Sequence, residues 1–313
     1  MKQSRRAILR GGIAVCAGIG LERGQALLPT VAAQEPTLRL LASTQIFADI
    51  AQNVAGDRAE VQSVTPANAD PHTYEASAAD LAKVSESDAF IFMGAHLEPF
   101  IEAGAWRRAV ADAGIPVLEL AEHLDLIEVD KIIDHGDHVH DLREGDPHVW
   151  LDPLKAVEMT AAIETFLTEL DPAGADVYAA NAEAYRAELD ALHEEFESGL
   201  AVIPPERRKL VVFHDAYTYF AERYDFDVIG IVLKSPDGEP SAQEFVELIE
   251  IIESENVPVI FAEPQFDTSV LDGIVAETGV EVGELLTDSF AGRVDSYIQL
   301  MRYNLESLVT HLG

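Results

Sequence analysis

Cysteine is almost absent from the 313-residue sequence, which contains only Cys16, close to the N-terminus. A single thiol excludes a disulfide framework within the chain and a zinc cluster built from cysteines. Basic residues are also scarce, since 21 Lys and Arg stand against 56 Asp and Glu and give a formal net charge of −35. A surface this negative repels nucleic-acid phosphates and anionic lipid headgroups, so we expect no nucleic-acid partner and an attraction for cations.

The excess of acidic residues is accompanied by few lysines, because only six of the basic residues are Lys. A chain adapted to high salt carries such a composition, which concerns habitat and not activity. Hydrophobic residues make up 48% of the chain and charged residues 25%, the profile of a globular protein that buries a core. The length fits two lobes of roughly 130 residues each.

Residues 1–33 have the pattern of an export signal. A basic segment with the pair Arg5-Arg6 precedes a short apolar run, and a small-residue cleavage site follows at Ala33. The arginine pair resembles a twin-arginine export signal. We expect cleavage after Ala33 rather than lipidation of Cys16, because the residue before a lipidated cysteine is usually Gly, Ala or Ser and here is Val. The sequence therefore predicts an exported protein, in the periplasm or on the outer face of the cytoplasmic membrane.

The rest of the chain alternates short β-rich runs with helical stretches, the order of elements found in parallel sheets wrapped by helices. A polar, loop-like stretch is expected at residues 122–146. The predicted fold is α/β, with two four-stranded parallel-sheet lobes joined by one long α-helix. The predicted strands lie at residues 38–42, 59–65, 89–93 and 117–120, and at residues 210–213, 228–232, 259–261 and 280–285.

A long stretch rich in Ala, Glu and Leu separates the two sets of strands. It contains neither Pro nor Gly between Gly174 and Gly199, and its apolar residues recur at helical spacing. This pattern predicts one continuous helix over residues 173–200. The helix divides the mature chain into an N-terminal lobe at residues 34–172 and a C-terminal lobe at residues 201–313.

Histidine carries the candidate chemistry, together with one aspartate. Four side chains follow a strand or another element boundary, where open α/β sheets place their ligand-binding groups, and two come from each predicted lobe. They are His72, His148, His214 and Asp288. His72 and His148 both stand in Asp-Pro-His, where proline fixes the backbone before the imidazole. We therefore expect all four side chains in one metal site, in the cleft between the lobes.

The segments around these residues resemble the signature segments of the zinc/manganese solute-binding proteins of ABC importers. The resemblance covers essentially the whole mature chain, in the same order, and includes the long linking helix. It rests on Asp70-Pro71-His72, the block from Asp146 to Pro153, Phe213-His214-Asp215-Ala216-Tyr217, Phe261-Ala262-Glu263-Pro264-Gln265, Glu277-Thr278-Gly279 and Thr287-Asp288-Ser289. It implies a receptor outside the cytoplasm that captures Zn²⁺ and delivers it to the membrane permease of an ABC transporter. We also expect the protein to be a monomer and to catalyse no reaction.

The resemblance implies that three imidazoles and one carboxylate form a tetrahedral shell, whose nitrogen-rich, sulfur-free donors suit Zn²⁺. In this family the third ligand position is His in zinc-type members and often Glu in manganese-type members. The residue at this position is His214, which favours Zn²⁺. A Mn²⁺ receptor, or one of mixed Zn/Mn specificity, is the alternative.

Two other classes of protein remain open. A zinc enzyme with three His ligands would need water in place of Asp288 as the fourth ligand. The sequence contains neither His-Glu-x-x-His nor Gly-x-Ser-x-Gly, two patterns of hydrolytic enzymes. An adhesin or a metal buffer would bind the ion without any transporter.

Five further residues are candidates for supporting roles. His135, His138 and His140 lie in a short polar loop that resembles the His-rich loop of zinc-type family members. Such a loop would bind metal weakly near the cleft, although a solvated loop without a function has the same composition. Glu263 and His96 each follow a predicted strand, and either could orient a ligand from behind.

Overall fold

The computed structural model describes residues 38–128, 132–134, 139–141, 145–234 and 240–313. The predicted export signal lies outside these residues, and so do His135 and His138 and the side chain of His140. In the part of the chain that the structure describes, no helix is both long and apolar enough to cross a membrane.

Four parallel strands form the first sheet, in the spatial order β2-β1-β3-β4. They are β1 (Leu38–Ala42), β2 (Ala59–Ser63), β3 (Ala89–Phe92) and β4 (Val117–Glu119). The helices between and after them are α1 (Gln45–Ala55), α2 (Ala78–Glu86), α3 (Pro99–Glu102) and α4 (Gly104–Ala113). Each parallel strand needs a crossover before the next, which explains why helices alternate with strands.

Four parallel strands also form the second sheet, in the order β10-β9-β7-β8. They are β7 (Lys209–His214), β8 (Asp227–Leu233), β9 (Val259–Ala262) and β10 (Glu281–Glu284). The helices of this lobe are α7 (Thr218–Tyr224), α8 (Ala242–Glu255), α9 (Leu271–Thr278) and α10 (Tyr297–Leu312). The predicted fold class, two four-stranded parallel-sheet lobes, is confirmed.

Two long helices connect the sheets. The helix α5 (Pro153–Leu170) begins at a proline, and its N-cap Asp152 accepts a hydrogen bond from the backbone N–H of Leu154. The linking helix α6 (Ala175–Leu200) begins two residues later than predicted, because Pro172–Gly174 form a 3₁₀ turn.

A buried stripe along α6 explains how the linking helix is held. Its members recur at helical spacing and belong to one apolar core that also includes residues of both sheets. The stripe consists of Tyr178, Ala182, Tyr185, Leu189, Leu192, Phe196 and Leu200. Its first half packs against α1 and α5, and Phe196 near its end packs against Phe220 and Tyr224 of α7.

The stretch that we predicted as a loop, residues 122–146, contains an antiparallel pair of short strands. They are β5 (Ile132–Asp134) and β6 (Val139–Asp141), and Ile132 pairs with Asp141. The prediction of an entirely irregular stretch is therefore wrong. Isoleucine and valine, which occur in these two strands, favour β structure.

Candidate metal centre

The four predicted ligands come together in one buried cluster. One donor atom from each of His72, His148, His214 and Asp288 lies within 4.8 Å of the other three. The four residues are between 1% and 3% exposed. His72 Nε2 is 3.2 Å from His148 Nε2, and His214 Nε2 is 3.3 Å from Asp288 Oδ2. His148 Nε2 lies 4.0 Å from Asp288 Oδ1.

Two of these separations, 3.2 and 3.3 Å, are close to those around a bound divalent cation. A tetrahedral ion with bonds of about 2.0–2.1 Å holds its ligand atoms about 3.3–3.4 Å apart. His214 Nε2 and both carboxylate oxygens of Asp288 are buried and have no hydrogen-bond partner among the described residues. Buried polar atoms are rarely left in this condition, and a cation bound by His214 Nε2 and one Asp288 oxygen would satisfy two of them at once.

Each Asp-Pro-His tripeptide forms a turn that its own aspartate stabilises. The carboxylate Oδ1 of Asp70 accepts a hydrogen bond from the backbone N–H of His72 at 3.0 Å. Asp146 does the same for His148 at 2.9 Å, and its Oδ1 also lies 2.8 Å from His148 Nδ1. The tripeptide pattern predicted a role for the proline but not for the aspartates. The repeated Asp two residues before each His was the available signal.

Glu263 stands directly behind His214, as a residue that orients a ligand should. Its Oε1 is 2.7 Å from His214 Nδ1, and its Oε2 accepts hydrogen bonds from Gln265 and from the Thr287 hydroxyl. A carboxylate at Nδ1 fixes the tautomer and leaves Nε2 directed at the cluster. Thr287 precedes Asp288 in the chain, so Glu263 connects two of the four candidate ligands.

Burial and neighbouring charges shift the titration of the cluster. Burial raises the pKa of Asp288 to about 6, although His214 and His148 act in the opposite direction. Burial would lower the pKa of His214, but the carboxylates of Glu263 and Asp288 outweigh it and raise that pKa to about 10. The raised pKa of His214 favours its protonated form at neutral pH, and that proton would have to leave before Nε2 could bind a cation.

Aromatic rings pack against the histidines of the cluster. The ring of Trp150 lies 5.4 Å from that of His148, and the ring of Phe266 lies 5.4 Å from that of His214. Phe213 stacks on Phe266 at 5.2 Å. These rings lower the local dielectric constant, which strengthens the attraction between a carboxylate and a cation.

His96 is not a member of the four-residue cluster. Its Nδ1 is 3.3 Å from Glu102 Oε1, and both residues line a separate cavity of about 490 Å³ with Glu119 and Trp106. Gly94, Ala95 and His96 all have positive φ, and this left-handed turn carries His96 to the cavity wall.

Comparison with known proteins agrees with this geometry. Residues 40–311 match the protein family described as "Zinc-uptake complex component A periplasmic". The chain belongs to this family. It is therefore one of the zinc/manganese solute-binding proteins of ABC importers, and the predicted family is confirmed.

Individual members of this solute-binding family differ in the metal that their names state. The manganese-binding lipoprotein MntA of Halalkalibacterium halodurans is 30% identical over 88% of this chain and 89% of its own length. The periplasmic zinc-binding protein TroA of Treponema pallidum has a TM-score of 0.77 at 25% identity, over 88% of this chain and 99% of its own. The Mn-bound periplasmic metal-binding protein from Candidatus Liberibacter asiaticus has a TM-score of 0.73 at 25% identity, over 88% of this chain and 100% of its own.

Replacing Glu263 by Gln is expected to weaken metal binding about 10- to 100-fold, because the partner of His214 Nδ1 loses its charge. Glu284→Gln is the matched control, since Glu284 is exposed and its Oε1 accepts from the Tyr303 hydroxyl at 2.6 Å. Competition with a chromogenic chelator measures both affinities. Equal affinities in the two variants would show that Glu263 does not support the site.

Proposed function

We propose that this solute-binding protein is a receptor outside the cytoplasm that captures Zn²⁺ and delivers it to the membrane permease of an ABC transporter. The observation that carries the proposal is the convergence of three imidazole nitrogens and one carboxylate oxygen in a buried site. Metal-ligand roles for His72, His148, His214 and Asp288 are part of the proposal. Four protein donors fill a tetrahedral shell and leave no position for a water to be activated, which favours transport over catalysis.

The preference for Zn²⁺ rests on the donor set. Nitrogen-rich, sulfur-free ligation suits Zn²⁺, whereas a further carboxylate would favour the harder Mn²⁺. A Mn²⁺ or mixed receptor is the second candidate, because several relatives are named for manganese and several structural neighbours hold Mn. Metal analysis of protein purified without chelator, followed by competition between the two ions, tests the assignment. We expect Zn²⁺ in the purified protein and displacement of Mn²⁺ by equimolar Zn²⁺.

Replacing His214 by Glu is expected to shift the ratio of Zn²⁺ to Mn²⁺ affinity toward Mn²⁺ by about tenfold or more, since it exchanges an imidazole for a carboxylate. His123→Glu is the control, because His123 is exposed and lies outside the cluster. Competition titrations with both ions measure the ratio. An unchanged ratio in His214→Glu would remove His214 from the ligand set.

Export is part of the proposed function. The family is described as periplasmic, and the relative from Halalkalibacterium halodurans is named a lipoprotein. For this chain we propose cleavage after Ala33, with lipidation of Cys16 as the alternative. The intact mass of the protein from a cell that expresses the full sequence distinguishes them, because cleavage at Ala33 removes Cys16 and lipidation keeps it.

A further inference from the structure

The segment that carries His148 belongs to the N-terminal lobe by position in the chain, and Trp150 contacts Phe47 of that lobe, yet several hydrogen bonds join the segment to the other lobe. We call residues 145–153 the His148 segment. The hydroxyl of Tyr219, on α7, donates to the Asp146 carbonyl at 2.7 Å. The same hydroxyl accepts a hydrogen bond from the backbone N–H of Ile127 at 2.9 Å, and Asp146 N donates to Ile127 O. Tyr219 therefore bonds to both ends of the stretch between Ile127 and Asp146.

Further contacts from the second lobe lie on the other side of His148. The indole Nε1 of Trp150 donates to the Thr287 carbonyl at 2.8 Å, directly beside Asp288. The Tyr297 hydroxyl donates to the Trp150 carbonyl at 2.6 Å. Arg223, one helical turn after Tyr219, pairs with Asp152 at 2.7 Å. Trp150, Tyr219 and Tyr297 are all buried, so these bonds lie in a medium where they are hard to replace by water.

The loop that carries His72 is held differently. We call residues 64–77 the His72 loop. The Thr65 hydroxyl donates to the Ser43 carbonyl, and the Tyr74 hydroxyl donates to Asp80, so both ends are tied to the N-terminal lobe. The loop meets the other lobe through the backbone bond from Asn68 N to Phe290 O, at 3.2 Å.

We propose that Tyr219 is a positioning residue which holds the His148 segment on the C-terminal lobe. Three of the four ligands are then attached to the C-terminal lobe and one, His72, to the N-terminal lobe. His148, His214 and Asp288 then form a preassembled group on one body, and His72 completes the shell when the metal is bound. The inference rests on the proposed metal-binding function. It differs from the division into two and two that chain position suggests, because attachment depends on contacts and not on order in the sequence.

Hydrogen exchange of the full-length protein, with and without saturating Zn²⁺, tests the division. We expect Zn²⁺ to slow exchange in the His72 loop about tenfold or more, since binding orders a segment that opens locally without metal. Exchange in the His148 segment should change less than about twofold, because its amides are already held. Equal slowing in both segments would overturn the proposal in favour of a two-and-two division.

Tyr219→Phe tests the positioning role, with Tyr224→Phe as the control. Both residues lie on α7, but the Tyr224 hydroxyl contacts His193 of the linking helix at 3.1 Å. Without metal, Tyr219→Phe should speed exchange in the His148 segment about fivefold through loss of buried hydrogen bonds, and Zn²⁺ should restore it. A merely structural defect would persist with Zn²⁺. Identical exchange in the two variants would exclude the role of Tyr219.

Failure of the proposed function has a separate signature. If Zn²⁺ slows exchange in neither segment, the metal-binding proposal is wrong. The comparison of Tyr219→Phe with Tyr224→Phe in metal-free protein then still decides whether Tyr219 holds the His148 segment. If Tyr219→Phe does not fold, the comparison within the unmodified protein decides the division. Arg223→Gln then tests the same attachment at a side chain that is 37% exposed.

Discussion

Saturating Zn²⁺ is expected to raise the melting temperature of the purified protein by on the order of 10 °C. At about 1,000 times the dissociation constant, a ligand that binds only the native state adds about 4 kcal/mol to the free energy of unfolding. For a chain of this size, each kcal/mol raises the melting temperature by about 2–4 °C. The four donors come together only in the folded chain, so the unfolded state competes weakly for the ion.

The measurement is a thermal melt of metal-free protein with increasing Zn²⁺, and Mg²⁺ serves as the control ion because it prefers oxygen donors. Asp288→Asn should lose most of the shift, since it removes the charge of the buried carboxylate. Asp272→Asn, an exposed aspartate on α9, should keep the shift. A melting temperature unchanged by Zn²⁺ would contradict the proposed function.

The affinity for Zn²⁺ is expected to increase about tenfold per pH unit between pH 7 and pH 9. The carboxylates beside His214 overcome the effect of burial and raise its pKa to about 10, so the metal-free site is protonated throughout this range. Only the neutral imidazole binds metal. Each unit of pH below 10 therefore lowers the apparent affinity about tenfold, because the proton must be removed first. Below about pH 6 the dependence should steepen, because burial raises the pKa of Asp288 to about 6 and its carboxyl then protonates too.

An imidazole with an ordinary pKa near 6.5 would give an affinity that is nearly flat above pH 7. Chelator competition at fixed ionic strength distinguishes the two cases. Calorimetry in buffers of different ionisation enthalpy should detect release of about one proton per Zn²⁺ at pH 8. A flat affinity from pH 7 to pH 9 would mean that His214 is neutral before the metal arrives.

The sequence predicted most of the fold because its signals are local. Strands 38–42 and 259–261 are short apolar runs, and Pro153 marks the first residue of α5 where a proline is well tolerated. The four site residues were predictable because each follows an element boundary. The short strands within 122–146 were missed because three residues of β propensity are a weak signal among polar neighbours.

The remaining features depend on contacts between residues far apart in the chain. Tyr219 lies 73 positions from Asp146, and no periodicity or motif predicts that its hydroxyl joins that carbonyl. Glu263 and His214 are 49 positions apart. The end of a strand marked Glu263 as a residue that could orient a ligand, but it did not show which ligand. The choice between Zn²⁺ and Mn²⁺ is harder still, because the two ions accept the same donor atoms and differ in preferred geometry and hardness.

The linking helix α6 also acts as a strut, 26 residues and about 39 Å long at 1.5 Å per residue. It contains no proline, and a helix without a break bends only gently. We therefore expect the spacing of the lobes to change little when metal binds. A membrane partner that touches both lobes would then not recognise the metal-bound protein by the distance between them. The difference that it recognises would be local, at the rim of the cleft, where Asn68 and Thr73 are exposed beside the buried His72.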